Sequence, residues 1–268
     1  MALKLPVYLD NHSTTRVDPR VVEAMVPCFT EIYGNASSKH HEFGWTAEAA
    51  VEHSRRNIAH LIGADSEEII FTSGATESIN LALKGVAEAN SKRGRHIVTS
   101  VTEHRAVLDT CKRLEEYGFN VTYLPVDSTG LIDPDDVRRA ITSKTVLVTI
   151  MMANNEIGTV APIGEIGRIC HESGVLFHTD ATQGFGKIPI HVSELNLDLM
   201  SFNAHKTYGP KGVGALYIKN SRPRVKLAAQ IDGGGHEHGL RSGTLNVPAI
   251  VGFGKVASNN HPTVCPST

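Results

Sequence analysis

The feature that most constrains this chain is an alternation. Short apolar, β-branched runs recur at 69–72, 96–101, 120–125, 146–151, 175–179, 197–202 and 213–218. Amphipathic stretches of helical period lie between most of them, at 77–90, 105–117, 134–141 and 163–173. Strands separated by helices pair in parallel through right-handed crossovers, which place helices on both faces of one sheet. The runs are too apolar to be half-exposed, as expected of strands covered on both sides. The last connection differs, because only residues 203–212 separate the sixth run from the seventh. A parallel crossover needs about a dozen residues or more, so the seventh strand is predicted to be antiparallel. The expected fold class is therefore α/β, with a seven-stranded, mainly parallel sheet.

The N-terminal 65 residues read as an arm and helices (VDPRVVEAMVPCF, then WTAEAAVEHSRRNIAHLIGA) packing with a large domain over 66–257. The composition shifts near Ser258, and the tail 258–268 is atypical. The chain has 268 residues, 41% hydrophobic and 20% charged, which excludes disordered and fibrous classes. A net charge of −2 excludes a general nucleic-acid binder. No run approaches the 18 or so apolar residues of a membrane span, so a cytoplasmic protein is expected. Cys28, Cys111, Cys170 and Cys265 lie too far apart for CxxC spacing, and the 14 histidines form no HExxH motif, so no metal site is predicted. The first three cysteines fall on helical segments and read as structural.

In open α/β sheets, ligands bind beyond the carboxyl ends of the strands. The first strand here runs into Thr72-Ser73-Gly74-Ala75-Thr76-Glu77 and then a helix. A glycine turn opening a helix presents backbone N–H groups beside the positive end of the dipole, a cup for phosphate. The other strand ends carry Thr102-Glu103-His104, Asn154-Asn155-Glu156, Asp180 with Gln183, and Asn203-Ala204-His205-Lys206. Taken singly, each has a bland explanation as a cap, a turn or a solvated loop. Together they set His, Asn, Asp, Gln and Lys along one sheet edge, and burying them without a ligand would cost about 1–3 kcal/mol per stranded group. Pyridoxal phosphate uses all of these: a lysine imine, an acid for the pyridinium nitrogen, a stacking ring and phosphate donors. A nucleotide leaves the lysine and the acid unexplained, and both GxGxxG and GxxxxGK[ST] are missing.

At these residues the sequence resembles the NifS/IscS type of cysteine desulfurase, within the class V aminotransferase-like family of fold-type I pyridoxal phosphate enzymes. The stretches that carry the resemblance are YLDNHSTTRVDP (8–19), GNASSKHHEFG (34–44), IIFTSGATESINLAL (69–83), TEHRAV (102–107), ANNEIGTVAPI (153–163), FHTDATQGFGKIPI (177–190), SFNAHKTYGPKGVGALYI (201–218) and GGGHEHGLRSGTLNVPAIVGFGKVA (233–257). The resemblance implies that Lys206 bonds the cofactor, Asp180 pairs with its ring nitrogen, and Gln183 with Asn155 sits near its phenolic oxygen. It implies that His104 stacks on the ring and moves protons, and that Ala75, Thr76 and His205 hold the phosphate. Thr244 would complete the phosphate cup of the other subunit of a homodimer, and Asn11, His12 and Ser13 would line the substrate entrance. The implied reaction converts L-cysteine to L-alanine and passes sulfur to a protein thiol, for iron–sulfur cluster assembly with a scaffold or other acceptor protein.

The chain departs from the family pattern in three places. Asn203 stands where Ser is common, with an amide able to donate to phosphate. His238 stands where Arg is common. The family continues into a smaller C-terminal domain bearing the catalytic cysteine loop, whereas this sequence reaches SNNHPTVCPST, with Pro262 set against the expected helix. That change resembles a truncation, a frame change or a splice variant, and Cys265 lacks the loop context of a nucleophile. Two further readings follow: a pyridoxal phosphate-binding paralogue serving as a partner or regulatory subunit, and a cysteine-independent lyase or aminotransferase.

Overall fold

The computed structural model describes residues 6–221 and 225–260. Its elements follow in the order α1 (Pro19–Met25), α2 (Pro27–Thr30), α3 (Glu42–Ile62), β1 (Ile69–Thr72), α4 (Ala75–Asn90), β2 (His96–Ser100), α5 (Arg105–Glu116), β3 (Asn120–Leu124), α6 (Pro134–Ala140), β4 (Thr145–Thr149), α7 (Ile163–Glu172), β5 (Leu176–Asp180), β6 (Leu199–Asn203), β7 (Gly214–Ile218) and α8 (Val247–Asn259). The strands form one sheet in the order β1-β7-β6-β5-β4-β2-β3. β7 runs antiparallel to both neighbours, and β2 through β6 pair in parallel. The short 203–213 connection therefore turns the chain back, as its length requires.

Most predicted strands shift by one or two residues at an end. α4 begins at Ala75 rather than at Glu77, because Gly74 opens the helix directly after β1. Burial on both faces holds for six strands but not for β3, whose first four residues are exposed or half-exposed. β3 is one of the two edge strands, with β2 as its single neighbour, and unlike β1 at the other edge it is left partly uncovered. Pro262 and Cys265 lie outside the described residues.

Two apolar layers cover the sheet. Ile70, Ile97, Leu147, Leu199 and Leu216 face α4 and α5. Val148, Phe177, Met200, Phe202 and Tyr217 face α3, α7 and α8. Phe185, Phe202 and Phe253 form the centre of the second layer, with Phe185 and Phe202 stacked at 4.5 Å and Phe253 against them edge-on. Cys28, Cys111 and Cys170 are buried within these layers. Burial pushes the thiols of Cys111 and Cys170 up to about 12, so they behave as small apolar side chains.

Two buried polar ties position the ends of the fold. Thr15 donates from N and from Oγ1 to the carbonyl of His205 at 2.9 Å, and its Oγ1 accepts from Tyr208 N at 2.7 Å. The N-terminal arm is thereby clamped onto the loop after β6. Arg55 on α3 donates to both carboxylate oxygens of Glu237 at 2.7 and 2.8 Å, and Glu237 also accepts from Phe71 N at 2.6 Å. The glycine-rich 233–239 segment is anchored to β1 by that carboxylate.

Candidate active site

The carboxyl ends of β1, β2, β4, β5 and β6 open into one cavity of about 450 Å³. Ala75, Thr76, His104, Asn155, Asp180, Gln183, Asn203, His205 and Lys206 all line it, with Ser13 from the arm. Asn11 and His12 do not, although the His12 carbonyl accepts from Gln183 Nε2 at 2.8 Å and draws the arm to the rim. Thr244 is exposed and lies away from this cavity.

One wall is the start of α4. Gly74 is its N-cap and supplies no side-chain capping bond, so the first-turn amides remain for a ligand. Gly214 of β7 lies directly behind. A Cβ there would sit 2.6 Å from Gly74 C and 2.8 Å from the Phe202 carbonyl, so only glycine permits this approach. Glu77 braces the turn, accepting from Ser73 N at 2.9 Å and from Arg241 Nε at 2.8 Å.

Asp180 is the last residue of β5 and is 4% exposed. Burial pushes its carboxyl above the ordinary range, while hydrogen bonding by Thr182 and the neighbouring His104 and Lys206 act in the opposite direction. Thr182 N donates to Asp180 Oδ1 at 2.9 Å and fixes its orientation. Across the cavity, Lys206 is half-buried, and desolvation lowers its ammonium below the usual lysine value against the opposing pull of Asp180, Asp10 and Glu156. A lowered lysine has a larger neutral fraction, which is the form that attacks a carbonyl. His205 is also lowered, first by burial and then by Lys206 and Lys211, and its Nδ1 lies 3.1 Å from Thr14 Oγ1.

His104 is exposed and caps α5, its Nδ1 accepting from Ala106 N at 3.1 Å. That bond leaves Nε2 as the protonated nitrogen of the neutral ring. Asn155 donates to Glu156 Oε1 at 2.6 Å on the opposite rim. Two buried polar atoms of the lining, Thr182 Oγ1 and Asn203 Oδ1, have no hydrogen-bond partner among the described residues. Stranded polar atoms on residues that line a cavity of this size mark a place for a polar ligand.

Sequence reasoning did not assign site positions to Thr182, Lys211 and Gly212, which line the cavity as well. Thr182 follows Asp180 by two residues and was readable from the same motif. Lys211 and Gly212 lie on the predicted reversal between β6 and β7, but their place in the cavity wall is revealed only by the folded chain.

Fold and cavity together define the large-domain architecture of a pyridoxal phosphate enzyme. The aminotransferase class-V family model matches residues 7–259, and this chain belongs to that family. A cysteine desulfurase IscS of Anaeromyxobacter dehalogenans is 59% identical over 255 residues, covering 95% of this chain and 63% of that protein. The IscS of Rickettsia massiliae is 56% identical, with 95% and 62% covered. The chain thus spans under two thirds of the length of these relatives. Among solved structures, a NifS-like protein superposes with a TM-score of 0.91 at 46% identity, covering 96% of this chain and 70% of that one. A structure described as SspA in complex with cysteine also gives 0.91, at 44% identity, with 94% and 72% covered.

The residues present fit pyridoxal phosphate, the cofactor of this family. The uncapped α4 start suits a phosphate, buried Asp180 suits a cationic ring nitrogen, and the orphaned Thr182 hydroxyl suits a polar ring substituent. No helix among the described residues is long and apolar enough to cross a membrane.

Proposed function

We propose that this chain is the cofactor-bearing part of a cytoplasmic cysteine desulfurase, taking L-cysteine to L-alanine and passing its sulfur to a protein thiol. The observation that carries this reading is the pairing of half-buried Lys206 with buried Asp180 across one cavity, at the uncapped start of α4. Pyridoxal phosphate, when bound, would act as the electron sink for the substrate. Ala75 and Thr76 amides, the Thr76 hydroxyl, His205 and Asn203 would hold its phosphate. Asp180 would stay ionised beside the ring nitrogen, since the new positive charge offsets the desolvation that raises its pKa. Lys206 would supply the attacking amine. His104, its Nδ1 tied down, would carry a proton on Nε2 while stacking on the ring. Gln183 and Asn155 would sit near the phenolic oxygen, and Asn11, His12 and Ser13 at the substrate entrance.

Sulfur transfer needs a thiolate at the substrate sulfur: the C–S bond breaks, the sulfur leaves as a persulfide, and the carbon takes a proton. Cys28, Cys111 and Cys170 are buried and none lines the cavity. This observation favours a second reading for the described residues alone, in which they bind cofactor as a partner or regulatory subunit, or act as a cysteine-independent lyase. A homodimer in which Thr244, exposed and apart from this chain's own cavity, reaches the neighbouring phosphate cup belongs to the desulfurase reading. A link to an iron–sulfur scaffold rests on the likeness to the IscS relatives.

The test is borohydride reduction of the chain incubated with pyridoxal phosphate, followed by peptide mapping. Label on Lys206 is expected. Label on another lysine, or none, sinks the cofactor assignment. Alanine and sulfide release, compared with a Cys265→Ser variant, then separates desulfurase from binding subunit.

A further inference from the structure

Glu103 has no part in the reading above, yet it lies between two walls of the cavity. It precedes His104, and its Oε1 accepts a hydrogen bond from Met151 N at 2.6 Å, just beyond β4. We propose that Glu103 is a positioning residue, locking the turn that carries His104 to the end of β4 that leads into Asn155.

A second tie joins the same two segments. Asn154 Nδ2 donates to the Thr102 carbonyl at 3.0 Å. Asn154 Oδ1 in turn accepts from the backbone N–H groups of Glu156 and Ile157 at 2.8 and 3.1 Å, so the loop bearing Asn155 hangs from that residue. The ring bond of His104 to Ala106 N is local to its own turn, so the ring stands wherever the turn stands. Glu103 and Asn154 decide where that is relative to the opposite rim.

The surroundings of the carboxyl disfavour its charge. Glu103 is 6% exposed, and its Oε2 has no hydrogen-bond partner among the described residues. The cavity of about 20 Å³ that it lines with Ser100, Thr102 and Asn154 carries no cationic side chain. A cavity of that size holds about one water and cannot admit a lysine or arginine head. Burial, with the negative charge of Asp180 nearby, pushes the carboxyl well above its ordinary range. Its Oε1 accepts from Met151 N in either form, and the neutral form that burial favours sets no second anion beside Asp180. Of the other titratable groups, Cys111 on α5 lies nearby and is itself held as a neutral thiol by burial.

The inference rests on the cofactor reading only for its ligand readout. The test uses the full chain with Glu103→Gln, Glu103→Ala and Asn154→Ala, comparing pyridoxal phosphate titrations with the imidazole NMR resonances of His104. Gln keeps the acceptor and the neutrality, so affinity within about twofold of the parent and an unmoved His104 resonance are expected. Ala strands the Met151 amide, so at least about tenfold weaker binding and a shifted His104 resonance are expected, with His96 and His178 unmoved. Unchanged affinity and resonance in Glu103→Ala would overturn the proposal, as would a Gln variant as damaged as Ala. If Glu103→Ala fails to fold, Asn154→Ala decides: a shifted His104 resonance supports the lock, and an unmoved one overturns it. Should the parent chain bind no pyridoxal phosphate, the cofactor reading fails, while the His104 resonances still decide the positioning.

Discussion

His178 offers a prediction whose size follows from the structure. It lies on β5, two residues before Asp180, and is fully buried. Its Nδ1 meets Thr149 Oγ1 at 2.8 Å and its Nε2 meets Ser201 Oγ at 2.9 Å, so one imidazole bridges β4, β5 and β6 beneath the cavity. Burial drives its pKa from 6.5 down to about 3. The unfolded chain therefore takes up a proton near pH 6.5 that the folded chain refuses. The stabilising contribution is complete above pH 6.5 and is lost as pH falls toward 3. Each unit in that window costs about 1.4 kcal/mol, or about 2 kcal/mol by pH 5. Any folded-state value below about 4 gives the same result there. Glu103, Asp180 and Asp198 are raised by burial and contribute slopes of the opposite sign. A difference measurement removes them. Urea denaturation of the parent and of His178→Gln between pH 7.5 and 5, each about midpoint-centred, would show the parent's advantage shrinking by about 2 kcal/mol. An advantage that stays constant over this range would mean that His178 titrates as a solvated histidine, and the buried bridge would have to be abandoned.

The remaining predictions concern the site and its supports. Asp180→Asn should keep the fold but slow α-proton exchange of a bound amino acid by at least about 10²-fold, measured by deuterium incorporation; a near-normal rate would remove Asp180 from its role. Glu237→Ala strands a guanidinium whose side chain is 5% exposed, so denaturation should show a loss of about 3–5 kcal/mol, and a loss under about 1 would contradict the buried pairing. Gly214→Ala forces β7 away from Gly74 and should cost about 1–3 kcal/mol together with weaker cofactor binding, read by denaturation and titration.

The period of the apolar runs and the lengths of the connections were enough to read a seven-stranded α/β sheet with its last strand reversed, because side-chain burial and chain reach are local constraints. The residues at the strand ends were legible for a related reason. Asp180, Asn203 and Lys206 each have a bland use at a strand end, but set together where buried strands stop they point to a ligand. The family likeness added roles that spacing alone does not supply. What the linear chain did not decide is which distant groups meet. The strand order β1-β7-β6-β5-β4-β2-β3 brings Gly214 against Gly74, sets Lys211 into the cavity and leaves β3 half-covered at an edge. Arg55 finds Glu237 182 positions away. Glu103 reads in sequence as an ordinary charged residue before a helix, and becomes a buried acid only because β4 ends beside it. Contacts of that kind depend on how strands order themselves and on what is desolvated between them, and those are decided by packing of the whole sheet rather than by any run of neighbouring residues.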